Sequence, residues 1–384
     1  MNKIKLPSNI YMGCGSIEAL AEILEGEHAK RVLIFSDCGV VGSGLLEPIK
    51  ELLEKAAVTY TTLLSDLAAE PSYLQVQQTV DAAADAQMDI ILAVGGGSVM
   101  DAAKLVSVLH GANYTVKELL DDPAQAKKTV KTIMVPTTCG TGSEATCNAI
   151  VAVPEEQVKK GIVNLQMIPD YVILDANMIR RLPPAIVAAT GVDALAHCVE
   201  CYTSNKATPL SNTYAADGAR LLFRNIRLAY LDPDNMKAKS AMMLGAYYGG
   251  AAITGSGTTA VHALSYPLGG KFHVAHGVSN AILFAHVMEF NRDACQRQLA
   301  ELYDMIFTAC GERPLEEKSI YVINEIASIV KELNIPTDLS AYGVTMDDLE
   351  FLVNSGSQQT RLLQNNCKQL SLEDIRGLYL RVLR

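Results

Sequence analysis

Apolar runs alternate with helical patterns over the first half of the chain. Five short runs rich in Val, Ile and Leu are separated by stretches with helical spacing or by glycine-rich turns. Uninterrupted apolar runs between helices are typical of a parallel sheet that is buried on both faces. The predicted strands cover residues 31–37, 58–64, 88–94, 131–136 and 171–175. The pattern therefore predicts an α/β domain that ends near residue 178.

From about residue 179 to the C-terminus the spacing of apolar positions is helical, and no further strand is predicted. Breaks between helices are expected at Pro209, 232–234, 267–270 and Pro336. A chain of 384 residues is too long for one ordinary core, so two domains are expected. They are an α/β domain at 1–178 and an all-helical domain at 179–384. A cleft between such domains is the expected place for a ligand site.

One apolar stretch has the length of a membrane span. Residues 241–264 contain no Lys, Arg, Asp or Glu. The same stretch contains several glycines, serines and threonines and includes His262. We therefore interpret it as buried helices that pack closely through small residues, and no membrane partner is expected.

The composition narrows the class of protein further. The formal net charge is −10 and no basic cluster is present, which argues against nucleic acid as a partner. The N-terminus lacks the apolar segment of a secretion signal. Nine cysteines without a framework spacing favour reduced thiols. The expected compartment is the cytoplasm.

Four residues of the second half have the makings of one divalent-metal site. Asp193 and His197 are spaced i, i+4, so on a helix their side chains share one face. His262 and His276 are 14 positions apart, about 21 Å on one straight helix, which is too far for one ion. A helix break at 267–270 would bring both imidazoles together. Three nitrogens and one carboxylate oxygen suit Fe(II) or Zn(II) with a position open for substrate, which indicates Lewis-acid chemistry.

Two glycine-rich segments are candidates for a dinucleotide site. In AVGGGSVMDAAK, Gly95, Gly96 and Gly97 allow a ligand close to the backbone, and Ser98 with Asp101 predicts a capping box at a helix start that favours a pyrophosphate. In PTTCGTGSEAT the candidate phosphate or ribose contacts are hydroxyl groups, those of Thr137, Thr138 and Thr141. An ordinary glycine-rich turn and a polar loop are the alternatives.

Asp37 closes a predicted strand at its C-terminal edge. A carboxylate at this position accepts hydrogen bonds from adenosine ribose hydroxyls and repels a 2′-phosphate, which favours NAD over NADP. In the usual fingerprint the acidic residue follows the glycines, whereas here it precedes them. The alternative is a solvated aspartate in a turn.

Together these segments resemble the iron-dependent (group III) alcohol dehydrogenases. The motifs GGGSVMDAAK, PTTCGTGSEAT, PDYVILD, DALAHCVE and HxxxxPLGxxxxxxHG occur in the order of that family. The resemblance implies a dehydroquinate-synthase-like architecture, with NAD and a metal, Fe2+ or Zn2+, facing each other across the cleft. It also implies a homodimer and reversible NAD-linked oxidation of a small alcohol, meaning a primary alcohol, a diol or a hydroxy acid.

The resemblance also implies roles for particular residues. The implied metal ligands are Asp193, His197, His262 and His276, and the implied cofactor contacts are Asp37, Gly95, Gly96, Gly97, Ser98, Asp101, Thr137, Thr138, Thr141 and Lys160. Lys160 would lie near the nicotinamide ribose, although a shift of one residue would exchange it with Lys159.

The chain departs from the family where a proton must leave the site. Some members have a histidine four residues after the third ligand, and this chain has Tyr266 there. His273, three residues before the last ligand, is an additional histidine. Both are candidates for the proton relay. Water with the ribose hydroxyls is a further option, and a purely structural role is the alternative for His273.

A carbon–oxygen lyase similar to dehydroquinate synthase is the competing enzyme class. Such enzymes hold NAD and a metal, return the cofactor unchanged and need several basic residues for a phosphorylated, carboxylated substrate. Near the candidate ligands in the sequence, Lys271 is the only basic residue. We therefore expect a small and weakly charged alcohol or aldehyde.

Overall fold

The computed structural model describes residues 3–64, 71–307 and 312–383. Six parallel strands form one sheet in the order β1-β8-β5-β4-β2-β3, and β6 and β7 form a separate antiparallel hairpin. In chain order the strands are β1 (Asn9–Met12), β2 (Arg31–Ser36), β3 (Thr59–Leu64), β4 (Ile90–Gly95), β5 (Lys131–Pro136), β6 (Asn148–Val153), β7 (Val158–Val163) and β8 (Tyr171–Leu174). All five predicted strands are present in the parallel sheet.

Helices cover both faces of this sheet, as its apolar strands require. Along β2, Val32 and Ile34 pack with the core that includes α1 and α3, whereas Leu33 and Phe35 pack with the core that includes α4 and α5. The helices of this half are α1 (Ala19–Gly26), α2 (Cys38–Gly42), α3 (Glu47–Lys55), α4 (Tyr73–Ala82), α5 (Gly97–Leu109) and α6 (Val116–Asp121).

The sequence pattern did not predict β1 or the β6–β7 hairpin. The four residues of β1 are exposed or half-buried at the sheet edge, so no apolar run marks them. In the hairpin, buried and half-buried residues alternate along β6, because only one face of this strand is covered.

The order of strands places a ligand crevice between β2 and β4. From β2 the chain crosses to β3 on one side, then returns to β4 on the other side and continues outward to β5. In a parallel sheet, ligands bind at the carboxyl ends of the strands where the order reverses in this way. Asp37 follows β2 at that point, and Gly96 and Gly97 follow β4.

The second half of the chain is helical throughout its described residues. Its helices are α7 (Pro184–Thr203), α8 (Pro209–Leu231), α9 (Met236–Ser256), α10 (Ala260–Phe272), α11 (His276–Ile306), α12 (Leu315–Glu332), α13 (Leu349–Ser357), α14 (Thr360–Leu363) and α15 (Leu372–Leu380). The largest apolar core of the protein joins these helices around α7. The predicted domain boundary after residue 178 falls between β8 and α7.

Burial in this core accounts for the apolar helices. Within the described residues one helix, α7, has the length and hydropathy of a membrane span, and 78% of the relevant window is buried inside the protein. The uncharged stretch at 241–264 forms most of α9 and the start of α10, and its residues are mostly buried too. The interpretation as packed helices agrees with this arrangement.

The expected helix break at 267–270 is wrong. Helix α10 continues through Pro267 and both following glycines, and ends at Phe272. A Cβ on Gly270 would lie 2.5 Å from the carbonyl oxygen of Gln157 in the turn between β6 and β7. Gly270 therefore permits close packing of the hairpin on α10, and it does not end the helix. The break follows at residues 273–275, where His273 adopts a left-handed conformation with φ 55°.

The two halves contact each other directly through backbone atoms. Gly142 has a left-handed φ of 59°, and a Cβ there would lie 2.6 Å from the Cα of Gly250 in α9. The loop after β5 is thus seated on the helical domain at a distance that excludes a side chain. This contact fixes one wall of the cavity between the halves.

Candidate functional site

A cavity of about 1420 Å³ lies between the sheet and the helical half. Its walls combine the carboxyl ends of β2, β4 and β5 with α7, α10 and α11. Most residues predicted for the site line it, namely Asp37, Gly96, Gly97, Ser98, Asp101, Thr137, Thr138, Thr141, Asp193, His197, His262, Tyr266 and His276. Gly95, Lys160 and His273 do not line it.

The four predicted metal ligands form one compact cluster. Their donor atoms all lie within 4.8 Å of one another. The Nε2 atoms of His197, His262 and His276 are 3.8, 3.5 and 3.6 Å from Oδ1 of Asp193. The rings of His197 and His262 stack with centroids 4.6 Å apart. This donor set, with three nitrogens and one carboxylate oxygen and mostly buried, fits one divalent ion.

Three helices bring the cluster together. Asp193 and His197 are one turn apart in the buried middle of α7, as their spacing predicts. His262 lies in the first turn of α10, and His276 is the first residue of α11. Because α10 ends and α11 begins between them, the 14-residue separation does not become a 21 Å distance.

Electrostatics within the cluster favour an ionised carboxylate. Burial raises the pKa of Asp193, but the imidazole of His197 and the other two histidines more than offset this, so the pKa stays below its usual value. Burial lowers the pKa of His276 to about 3, against the opposing effect of Asp193. His276 is therefore neutral at physiological pH, which is the form that binds a metal.

Glu200 supports the cluster from behind and was missed by the sequence analysis. Its carboxylate accepts hydrogen bonds from the backbone N–H of Thr259 (3.0 Å) and Val261 (2.9 Å) and from the Thr259 hydroxyl (2.6 Å). It also bonds Nδ1 of His262. A carboxylate behind a metal-binding histidine fixes the ring so that Nε2 points to the ion. The signal was present, because Glu200 follows Asp193 and His197 on the same face of α7.

The acidic partners change the protonation of His262. Burial lowers its pKa, but Glu200 first, and then Asp193, outweigh burial and raise the pKa to about 9. Without a cation at the cluster this histidine therefore keeps both ring protons at neutral pH, so a metal must displace the Nε2 proton when it binds.

Asn280 is a second residue that the sequence analysis missed. It lies one turn after His276 in α11 and is fully buried. Its side-chain nitrogen is 2.7 Å from Oδ1 of Asp193 and 3.1 Å from Nε2 of His262. The i, i+4 spacing from His276 was the sequence feature that could have identified Asn280. The Asn280 side chain therefore faces the donor atoms that a cation would bind.

At the end of the cavity opposite the metal cluster, glycines allow neighbouring segments to pack very close to the backbone. A Cβ on Gly97 would lie 2.7 Å from Cγ2 of Thr141, so only glycine allows helix α5 to start this close to the loop after β5. Gly95 has another role: a Cβ there would lie 2.6 Å from Cβ of Val99, which shows that it packs β4 against α5 and explains its position behind the cavity.

The predicted capping box of α5 is absent. The helix starts at Gly97 with Gly96 as its N-cap, and no side chain caps it. Asp101 instead accepts bonds from the Ile150 N–H (2.9 Å) and Lys104 Nζ (3.1 Å). The carboxylate thus ties α5 to the hairpin and leaves the first N–H groups of the helix to the cavity.

Asp37, which follows β2, caps α2 by accepting a hydrogen bond from the Val40 N–H at 2.9 Å.

The structure places two of the predicted residues, Lys160 and His273, away from the cavity. Lys160 faces outward from β7 and pairs with Glu156 at 2.6 Å. Lys159, on the opposite face of the strand, is buried and lines the cavity.

His273 is exposed in the connection between α10 and α11. The i, i+3 spacing to His276 does not place it near the cluster, because residues 273–275 are not helical. Tyr266 does reach the site, with its ring centroid 6.3 Å from that of His276.

The expectation that Lys271 is the only nearby basic residue is also wrong. Lys271 pairs with Asp348 at 2.8 Å and does not line the cavity. Five basic residues from distant parts of the chain do line it: Lys159, Arg180, Arg181, Lys206 and Arg361. Sequence neighbourhood could not reveal them, because the fold assembles them from separate segments.

Comparison with known proteins agrees with this geometry. Residues 7–176 match the profile of the family described as iron-containing alcohol dehydrogenase, and residues 187–383 match the C-terminal profile of the same family. The chain is 33% identical over 380 residues to long-chain-alcohol dehydrogenase 1 of Geobacillus thermodenitrificans, covering 98% of this chain and 95% of the relative. It is 25% identical to the NAD-dependent methanol dehydrogenase of Bacillus methanolicus, with 98% of each chain covered.

A solved structure gives the same result for the fold. The iron-containing alcohol dehydrogenase of Thermotoga maritima superimposes with a TM-score of 0.86 at 26% identity, covering 100% of this chain and 99% of that one. The predicted fold class, a parallel α/β half followed by a helical half, is confirmed. This chain belongs to the iron-containing alcohol dehydrogenase family and is a metal-dependent, NAD-linked alcohol oxidoreductase.

Proposed function

We propose that the protein catalyses reversible NAD(H)-linked oxidation of a small alcohol, meaning a primary alcohol, a diol or a hydroxy acid, to the aldehyde or ketone. One observation carries the proposal: the four-residue metal cluster and the carboxyl ends of β2 and β4 line the same cavity. In one enclosed space, a Lewis acid could polarise the alcohol oxygen while a dinucleotide accepts the hydride.

In this proposal the metal is held by Asp193, His197, His262 and His276. A bound divalent ion would polarise the substrate oxygen. The family favours Fe2+, whereas the donor set alone also accepts Zn2+, which intrinsic affinity ranks higher. Glu200 keeps His262 in the ring orientation that presents Nε2.

The nicotinamide dinucleotide would lie along the sheet edge. The cofactor supplies the hydride acceptor. Gly96 and Gly97 expose backbone N–H groups of α5 to the pyrophosphate, and the hydroxyls of Thr137, Thr138 and Thr141 supply further contacts. Asp37 favours NAD over NADP by repelling a 2′-phosphate. Lys159 takes the nicotinamide-side role that the sequence analysis gave to Lys160.

For the proton, Tyr266 is the candidate that reaches the cavity. Burial raises the pKa of its hydroxyl, and Arg361 only partly opposes this. A phenol with a raised pKa stays protonated at neutral pH, so Tyr266 acts as a hydrogen-bond donor to the substrate oxygen. The proton itself then leaves through water and the ribose hydroxyls.

The setting proposed for the enzyme is the cytoplasm, as a homodimer without nucleic-acid or membrane partners. Eight of the nine cysteines lie in the described residues and all eight are free thiols, which supports a reducing compartment. The net charge of −10 supports the absence of nucleic acid. Light scattering after gel filtration measures the oligomeric state.

The test is a substrate panel with anaerobically purified protein. The metal content is measured first, and activity is then assayed after reconstitution with Fe(II) or Zn(II), with NAD and with NADP. NADH formation with at least one alcohol is expected. No NADH from any alcohol, diol or hydroxy acid in every metal form would count against a dehydrogenase and in favour of the lyase alternative. Better activity with NADP would overturn the role of Asp37.

A further inference from the structure

Arg361 is a basic side chain that lines the cavity close to the metal cluster. Arg361 lies in the short helix α14 and hydrogen-bonds Tyr266, whose ring lies next to that of His276. Its guanidinium also approaches the hairpin, since a Cβ on Gly161 would lie 3.2 Å from Nη2. Arg361 therefore spans from the helical half to β7 near the metal end of the cavity.

The charge of Arg361 has no acidic partner among the residues that the structure describes. None of the ion pairs within 3–64, 71–307 and 312–383 includes it. Other arginines differ, since Arg227 pairs with two glutamates and Arg180 pairs with Asp234. A guanidinium without a carboxylate partner that lines a cavity offers its planar pair of donors to a ligand.

The charge balance of the cavity points in the same direction. Five basic and three acidic side chains line it. Each of the acidic groups is already engaged: Asp193 in the histidine cluster, Asp101 with Lys104 and the Ile150 N–H, and Asp37 with the Val40 N–H. The pyrophosphate of a dinucleotide would neutralise part of the excess at the other end of the cavity. Positive charge remains at the metal end.

We propose that Arg361 anchors the anionic end of the substrate, so that the enzyme prefers a short aldehyde or alcohol that carries a carboxylate or a sulfonate. The inference rests on the proposed dehydrogenase function. The carbonyl or hydroxyl carbon of such a substrate lies at the metal cluster, and its anion receives two N–H donors from Arg361. The reaction balances as aldehyde, NADH and one proton giving alcohol and NAD, and the anionic group remains unchanged.

The experiment compares anionic and neutral aldehydes of equal carbon number. Malonate, succinate and glutarate semialdehydes are reduced with NADH beside propanal, butanal and pentanal. The series also measures the span from the cluster to Arg361, since the best chain length reports it. The proteins are the metal-loaded wild type, Arg361→Met, Arg361→Lys, and Arg297→Met as a matched control, because Arg297 is 83% exposed on α11.

We expect the wild type to favour the anionic member of at least one pair. Arg361→Met should raise KM for that anionic aldehyde about 10- to 100-fold, the range for a lost charge-assisted hydrogen bond, with a smaller change in kcat. The KM for the neutral aldehyde should change much less, because that substrate loses only the indirect effect of Arg361 on Tyr266, and the KM for NADH should stay the same. Arg361→Lys should recover part of the loss, and Arg297→Met should behave as wild type.

A second measurement does not depend on turnover. Calorimetric titration of butyrate and of butanamide into the NADH-bound protein should show tighter binding of the anion, and Arg361→Met should abolish the difference. Equal effects of Arg361→Met on both members of each pair would overturn the proposal, as would an effect confined to NADH, which would assign Arg361 to the cofactor. Reduction of neutral aldehydes without any anionic preference refutes this proposal alone, whereas failure to reduce every aldehyde refutes the proposed dehydrogenase function.

Discussion

Two buried carboxyl groups near the cavity have opposite electrostatic surroundings. At the metal end, three imidazoles surround Asp193 and hold its pKa below the usual value despite burial. In the loop after β5, burial raises the pKa of Glu144 to about 7. The charge of Lys104 opposes this rise only in part, and its Nζ donates to Asp101, Ser143 and the Asn148 carbonyl.

This difference shows how each end is built. The metal end concentrates donor atoms and buried charges, which is a costly arrangement unless a cation completes it. The dinucleotide end is built from glycine backbone and hydroxyl groups, and Glu144, buried in the loop beside it, has no ion-pair partner among the described residues. Side-chain charge should therefore decide function at the first end, and backbone geometry should decide it at the second.

The largest effect is expected from Asp193→Asn. The amide keeps the shape but removes the negative charge at the centre of the cluster, so metal affinity and turnover should both fall by more than about 100-fold, the upper value for residues that only support a ligand. Metal content after gel filtration reports the metal affinity, and kcat/KM reports the turnover. Asp217→Asn, on the exposed side of α8, is the control and should retain both. Full metal content in Asp193→Asn would remove Asp193 from the ligand set.

Glu144→Gln should stabilise the protein at alkaline pH. Because the folded-state pKa of about 7 lies above the unfolded value near 4.5, the folded state binds the proton more tightly, and stability falls as pH rises from 4.5 to 7. The shift corresponds to about 3 kcal/mol above pH 7, and the variant should recover this amount.

Thermal unfolding at pH 5 and pH 8 tests this prediction. The gain in Tm should be large at pH 8 and small at pH 5, and Glu51→Gln on exposed α3 should show neither. An equal gain in Tm at pH 5 and pH 8 would mean that the variant is stabilised by altered packing and not by loss of the Glu144 charge.

The contrast between side-chain chemistry and backbone geometry also explains how much of the structure could be predicted from sequence. The cluster of candidate metal ligands was predictable, because the i, i+4 pair in α7 and the family motif each fix a position. The five buried strands were predictable from their apolar runs. The continuation of α10 through Pro267 was not, since the contact of Gly270 with Gln157 is tertiary.

Two other differences between the sequence expectations and the structure have local causes. Adjacent lysines at 159 and 160 lie on opposite faces of β7, and only the register of the hairpin, with Lys160 opposite Val151, decides which one faces the cavity. His273 was placed by helical spacing across a segment that is a loop. The basic residues of the cavity, Arg361 among them, come from segments with no sequence relation to the ligands.

Glu200→Gln should lower the metal affinity less than Asp193→Asn does. The amide keeps some of the hydrogen bonds to Thr259 and Val261 but loses the charge that holds the Nδ1 proton of His262. Metal affinity should fall about 10- to 100-fold, measured by competition with a chelator. Glu289→Gln, at an exposed position of α11, is the control. Unchanged affinity would show that Glu200 stabilises the start of α10 without tuning the ligand.

The smallest effect is expected at the dinucleotide end from Gly97→Ala. The new Cβ would lie 2.7 Å from Cγ2 of Thr141, so the start of α5 must shift by a few tenths of an ångström, and KM for NAD should rise roughly 10-fold, about 1.4 kcal/mol. Metal content should not change. Adding Thr141→Ala removes the clashing atoms, so the double variant should bind NAD better than additivity of the single changes allows. Strict additivity would place the defect in helix strain, whereas coupling would show that close backbone approach, and not side-chain charge, builds this end.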